Sequence, residues 1–175
     1  MTEQERGYTL IELAVVVLLV GLMLTLAAPR VRDTLLNDDL KAATRQLLGA
    51  TRELRNDAIR EQTDYLLRID LGQPSFWSYP ADATPEKRAE VRKAAVRLPA
   101  GIRIVDVRHA GEAKKGDGEA SIRFFRQGYV TPTVIHLAKD DRTFTLIFNP
   151  FLPSVDVHEK QVDYAFNEED RDAAL

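Results

Sequence analysis

Residues 7–29 read GYTLIELAVVVLLVGLMLTLAAP, and the architecture of the whole chain turns on this stretch. From Leu13 to Ala28 there is no charged residue, and Leu, Val and Ala dominate. A helix over Leu10–Ala28 would be roughly 28 Å long at ~1.5 Å per residue. That length is close to the hydrocarbon thickness of a bilayer, about 30 Å. One acid, Glu12, lies inside the apolar run. An acid at membrane depth costs on the order of a few kcal/mol and is usually there for a function. A cleaved secretory signal fits poorly, because MTEQERG sets Glu3 and Glu5 against Arg6 and Thr25-Leu26-Ala27 is a weak cleavage match. A plain membrane anchor leaves Glu12 unexplained. A buried core helix is out of scale for 175 residues.

The pattern Gly7-Tyr8-Thr9-Leu10-Ile11-Glu12-Leu13 resembles the type IV prepilin family, which includes type IV pilins and type II secretion pseudopilins. The resemblance implies that Gly7 precedes the bond cut by a prepilin peptidase. Tyr8 then becomes the first mature residue and is N-methylated by the same enzyme. Glu12 falls where the family places its glutamate, and Pro29 where many members carry a helix-kinking proline. The chain departs from the usual pattern in having Tyr rather than Phe after the cut and a leader without a positive excess. Glu12 is expected to act in assembly and register, by pairing with the terminal amine of a neighbouring subunit. An unpaired carboxylate and an unpaired ammonium are both costly in apolar surroundings, and pairing relieves both.

Beyond Pro29 the apolar residues recur at three- and four-residue steps: Val31, Leu35, Leu36, Leu40, Ala43, Leu47, Leu48, Leu54, Ala58 and Ile59. Charged residues fill the other positions, so this half predicts an amphipathic helix able to cover a sheet. Strand-like runs follow at 65–71, 76–79, 102–107, 122–125, 134–137 and 144–148, with residues 72–74 as the first turn. The charged stretch 86–96 reads as a short helix or a loop, and 111–119 as an exposed loop. Residues 155–157 and 162–164 are candidate edge strands.

The expected organisation is α+β and type IV pilin-like: a long N-terminal helix packed on an antiparallel β-sheet head. Residues 1–7 form a cleaved leader, 8–28 the transmembrane half of the helix and 29–62 its amphipathic half. Residues 63–166 form a β-rich periplasmic head, and 167–175 a disordered acidic tail. Within the family, RLPAGIRI at 97–104 and IRFFRQGYVTP at 122–132 resemble the H class of minor pseudopilins, the GspH/FimT-like group.

The implied function is that of a structural subunit of the type II secretion pseudopilus, serving protein export across the outer membrane. The alternative is a FimT-like minor pilin acting in DNA uptake or pilus assembly. Expected partners are the prepilin peptidase/methyltransferase, other major and minor pseudopilins, inner-membrane lipid and exported substrates. The expected location is the bacterial inner membrane, crossed once, with the head in the periplasm. From Asp156 onward there are seven acids against two bases, which argues against nucleic acid at that end.

No catalytic site, metal site or cofactor is expected. The chain has no cysteine, which excludes disulfides and thiolate chemistry. His109, His136 and His158 are scattered. Ser121, His136 and Asp140 make a triad only on paper, since no nucleophile elbow surrounds Ser121. The run Gly116-Asp117-Gly118-Glu119 lacks the alternating ligands of a calcium loop and reads as a turn.

Overall fold

The computed structural model describes residues 10–152 and 154–166, with the side chains of 26–38 excepted. The leader, the Gly7–Tyr8 junction and the acidic tail at 167–175 therefore lie outside the described residues. The chain divides into two compact units, residues 1–37 and 38–175. Helix α1, Leu10–Glu61, contributes to both. Pro29 falls within its helical span, and its side chain is among those not described. In the second unit α1 buries Leu40, Ala43, Leu47, Leu54 and Ala58, as the three- and four-residue spacing requires. The helix stops at Gln62, which adopts a left-handed φ of 52°. The orphan carbonyls of the last turn are met by Thr63 N on Ala58 O at 3.2 Å and by Gln62 Nε2 on Ile59 O at 2.7 Å.

The strands form two four-stranded sheets where the sequence suggested one. In chain order they are β1 (Tyr65–Asp70), β2 (Ser75–Pro80), β3 (Val96–Arg97), β4 (Arg103–His109), β5 (Glu119–Phe124), β6 (Thr133–Lys139), β7 (Arg142–Phe148) and β8 (Val155–His158). The first sheet has the order β3-β2-β1-β5 and the second β4-β6-β7-β8. All ladders are antiparallel. The split arises because β5 returns to pair with β1 while β4, which precedes it in the chain, pairs with β6. The first turn is held by the Asp70 carboxylate, which accepts from Gly72 N and Gln73 N, both at 2.9 Å.

The stretch 86–96 divides. Helix α2, Pro85–Lys93, starts at the cap Thr84, whose hydroxyl accepts from Lys87 N at 3.3 Å. Val96 and Arg97 then form β3. α2 buries none of its own residues. It lays Arg92 and Arg88 over the rings of Trp77 and Tyr79, at 5.3 and 5.4 Å. One core is shared by α1 and both sheets, with Leu47, Leu67, Ile122, Phe124, Leu137 and Phe148 fully buried within it.

Strand β4 departs from simple alternation. A bulge between Ile104 and Asp106 leaves Val105 unpaired and exposed. Ile104 and Val107 consequently both join the core, whereas strict period-two alternation would put Asp106 on Ile104's face. Asp106 instead stands opposite His136, which stands opposite Thr145. His136 Nδ1 lies 2.8 Å from Asp106 Oδ1.

Residues 160–164, whose last three were a candidate strand, form none. Their backbone groups go to side chains of the second sheet. Thr145 Oγ1 donates to Lys160 O at 2.8 Å and accepts from Val162 N at 3.0 Å. His136 Nε2 meets Val162 O at 3.2 Å, and Arg108 donates to Tyr164 O. Lys114 adds an ion pair to Asp163 at 2.6 Å. The segment is thus a strap over a polar row that it keeps dry; Asp106, Arg108, His136 and Thr145 are all buried.

Two outcomes follow for stability. Leu47→Ala removes a side chain that is 1% exposed and is expected to lower unfolding free energy by about 3 kcal/mol, read by urea denaturation. The second concerns pH. Burial lowers the His136 pKa, but the hydrogen bond and charge of Asp106 and the carbonyl of Val162 outweigh it, and the net shift is upward. A raised histidine stabilises the fold in full below the ordinary value of about 6.5, and that contribution is lost as pH rises through the raised value. His109, lowered chiefly by burial, works in the opposite sense. Melting curves of wild type and Asp106→Asn across this range separate the two. The gap between the variants should be widest at the acid end and narrow as pH rises.

Candidate assembly site

The candidate site is the first part of α1. From Leu10 to Leu24 every large apolar side chain is exposed, from 48% at Val16 to 86% at Leu10. They lie all round the helix: Leu10, Ile11, Leu13, Val15, Val16, Val17, Leu18, Leu19, Val20, Leu22, Met23 and Leu24 leave no polar face. A helix apolar on every side is at home only in a core, a bilayer or a bundle of like helices. The polar groups inside the run are few. Thr25 satisfies its hydroxyl on Gly21 O at 2.8 Å, an arrangement suited to apolar surroundings. A Cβ placed on Gly21 would meet nothing within 4 Å, so packing within the chain does not demand glycine there.

Glu12 sits in the first turn of α1 and is exposed. A carboxylate near a helix N-terminus is favoured by the unpaired N–H groups and the helix dipole. Gly7 and Tyr8 lie outside the described residues, so the structure places neither beside Glu12. Among the described residues no helix is long and apolar enough to cross a membrane. The span expected at 8–28 is described with side chains only over Leu10–Thr25.

Ser121, His136 and Asp140 are not brought together as a catalytic site. Ser121 lies on β5 in the first sheet, His136 on β6 in the second, and Asp140 in the turn after β6 at φ 50°. The imidazole of His136 pairs with Asp106 and is 2% exposed, out of reach of any substrate. His109 Nδ1 is held by Thr133 Oγ1 at 2.9 Å. Among the described residues no group of three His, Asp or Glu is placed to hold a metal ion. The Asp106–His136–Thr145 row escaped the sequence reading, because its register depends on the bulge at Val105 and no period-two pattern shows it.

No protein-family model matches the chain, and no curated protein matches it. Solved structures do. The fold is shared with the minor pseudopilin EpsH of the type II secretion system of Vibrio cholerae, at 15% identity and a TM-score of 0.52. That match covers 71% of this chain and 96% of the other. A second structure of Vibrio cholerae EpsH aligns at 14% identity, over 68% of this chain and 95% of the other, with a TM-score of 0.49.

Proposed function

We propose that the chain is a minor pseudopilin, an assembly subunit of a type II secretion pseudopilus that serves protein export. The observation that carries this reading is the exposed apolar segment of α1 with its single early carboxylate, attached in sequence to a head whose fold matches a minor pseudopilin. Its work is mechanical rather than catalytic. The apolar segment lies first in the inner membrane, crossing it once, with the head in the periplasm, and afterwards among the helices of neighbouring pseudopilins. A prepilin peptidase cuts after Gly7 and methylates the new amine of Tyr8.

Glu12 supplies the register. In a packed bundle of apolar helices a lone carboxylate is costly unless it meets a cation. The amine of Tyr8 on an adjacent subunit is such a cation, and methylation leaves it basic. One charge pair per subunit therefore selects one axial offset out of the many that an all-apolar surface would tolerate. This use of a buried polar pair as a register device is the best-attested one.

Two experiments test the reading. Gly7→Ala should leave the leader attached, so that the mass of the membrane-extracted chain rises by that of residues 1–7; an unchanged mass defeats the cleavage assignment. Glu12→Leu should be processed and folded normally yet fail to enter pseudopili, read by cross-linking to other pseudopilins and by loss of secretion in a complementation strain. Normal incorporation of Glu12→Leu would rule out the register role.

A further inference from the structure

Few contacts hold helix α2 to the head. None of its residues is buried, and of its apolar side chains only Val91 is partly covered. The covering runs the other way: Trp77 and Tyr79 beneath it are 7% and 8% exposed. Arg92 lies over the ring of Trp77 and Arg88 over that of Tyr79. A third contact is ionic. Arg92 Nη2 lies 2.6 Å from Glu119 Oε1 on β5, and the Arg92 side chain is 59% exposed. Arg88 donates to Ala81 O at 3.0 Å, in the connection that leads into α2 rather than on the sheet. Lys87 and Glu90 pair with each other along the helix at 3.0 Å. Exposed ion pairs and cation–π contacts are individually weak, and the ion pairs are screened by salt.

The chain on either side of α2 is fixed. Ala81 N donates to Asp64 O at 2.7 Å. Val96 and Arg97 pair with Phe76 and Ser75, and Leu98 N donates to Pro74 O at 3.0 Å. Residues 82–84 and 94–95 connect the helix to these anchored points. Releasing α2 therefore leaves both ends of the segment in place. Its nine residues are too few to persist as a helix alone in water, where even about 12–15 are marginal. Once undocked, α2 loses its helix as well as its contacts, and its amide protons become exchangeable.

Opening strands no charge. Glu119 holds two arginines with separate oxygens, Arg92 on Oε1 and Arg68 on Oε2, both at 2.6 Å. When Arg92 departs into water, Glu119 keeps Arg68 of the same sheet. The surface uncovered differs in kind from the closed one. Trp77 stands opposite Arg68 and Tyr79 opposite Leu66. Two aromatic rings, an aliphatic side chain and a guanidinium then share one face of the sheet.

We propose that α2 is a flap, latched by Arg92 on Glu119, that lifts off the outer face of the first sheet and uncovers Trp77 and Tyr79 while the rest of the head stays folded. Whatever takes Arg92 from Glu119, salt or a competing anion, opens it. The inference concerns the head alone, and it stands or fails independently of cleavage and filament assembly.

Trp77 is the only tryptophan of the chain, so its fluorescence reports on the flap directly. In the detergent-extracted full chain, Glu119→Gln leaves the Arg92 side chain in place but removes the charge that holds it. Acrylamide quenching of Trp77 should rise several-fold in this variant, with the urea midpoint of the head little changed. Added salt should raise quenching in the wild type toward the same level and add little in the variant. Because Glu119 also serves Arg68, a second variant isolates the latch. Arg92→Gln should speed amide exchange across residues 85–95 several-fold while β1 and β5 keep wild-type rates. Lys93→Gln, which removes the same charge one residue on, should not. Equal quenching in wild type and Glu119→Gln would overturn the proposal, and so would equal exchange in Arg92→Gln and Lys93→Gln. Faster exchange spread evenly through α2, β1 and β5 would overturn it too, since helix and sheet would then open as one unit.

Discussion

Everything in the head depends on burying one face of α1. Leu40, Ala43, Leu47, Leu54 and Ala58 supply an apolar stripe, and neither four-stranded sheet could hide its own inner face without it. An antiparallel sheet needs one face covered to be stable in water. Here the helix gives both sheets a common partner, and Phe124, Ile122, Phe148 and Leu137 meet it in a single core. The ion pair between Lys139 at the end of β6 and Asp39 on α1 pins the second sheet to the same helix.

The outer faces are covered by different means. α2 shields Trp77 and Tyr79 with arginine side chains while remaining solvated itself. The strap from Lys160 to Tyr164 shields the second sheet through hydrogen bonds rather than apolar packing. A buried polar row is costly unless every member is satisfied. Asp106, His136, Thr145 and the strap backbone satisfy one another, so each is stable only in the presence of the others. Such a network specifies one placement of the strap, where an apolar contact would tolerate several.

The long helix and the approximate bounds of every strand but β3 were legible from the sequence, because period 3.6 and period 2 are local signals, whereas the two residues of β3 are too few to show a period. The helix end at Glu61 and the strand Val155–His158 lie within a residue or so of where the pattern puts them. The division into two sheets was not legible. Which strand pairs with which is decided by long-range closure, and β5 reaching back to β1 leaves no trace in β5 itself. The strand expected at 162–164 was misread for a related reason: Val162 and Tyr164 alternate as a strand should, but their backbone groups are claimed by side chains. Of the candidate site, the uncovered apolar surface beside Glu12 follows from composition alone, whereas nothing in its own residue pattern says what covers it.

The bulge in β4 has a consequence for how the chain tolerates changes in length. Val105 stands outside the ladder, and the residues on either side are already in register with Leu137 and His136. Losing Val105 would leave Ile104 facing inward and Asp106 outward, and the strand would simply straighten. Losing Val107 instead would draw Arg108 toward the core and detach it from the strap. The head therefore has one position in β4 where a codon deletion is neutral to both faces.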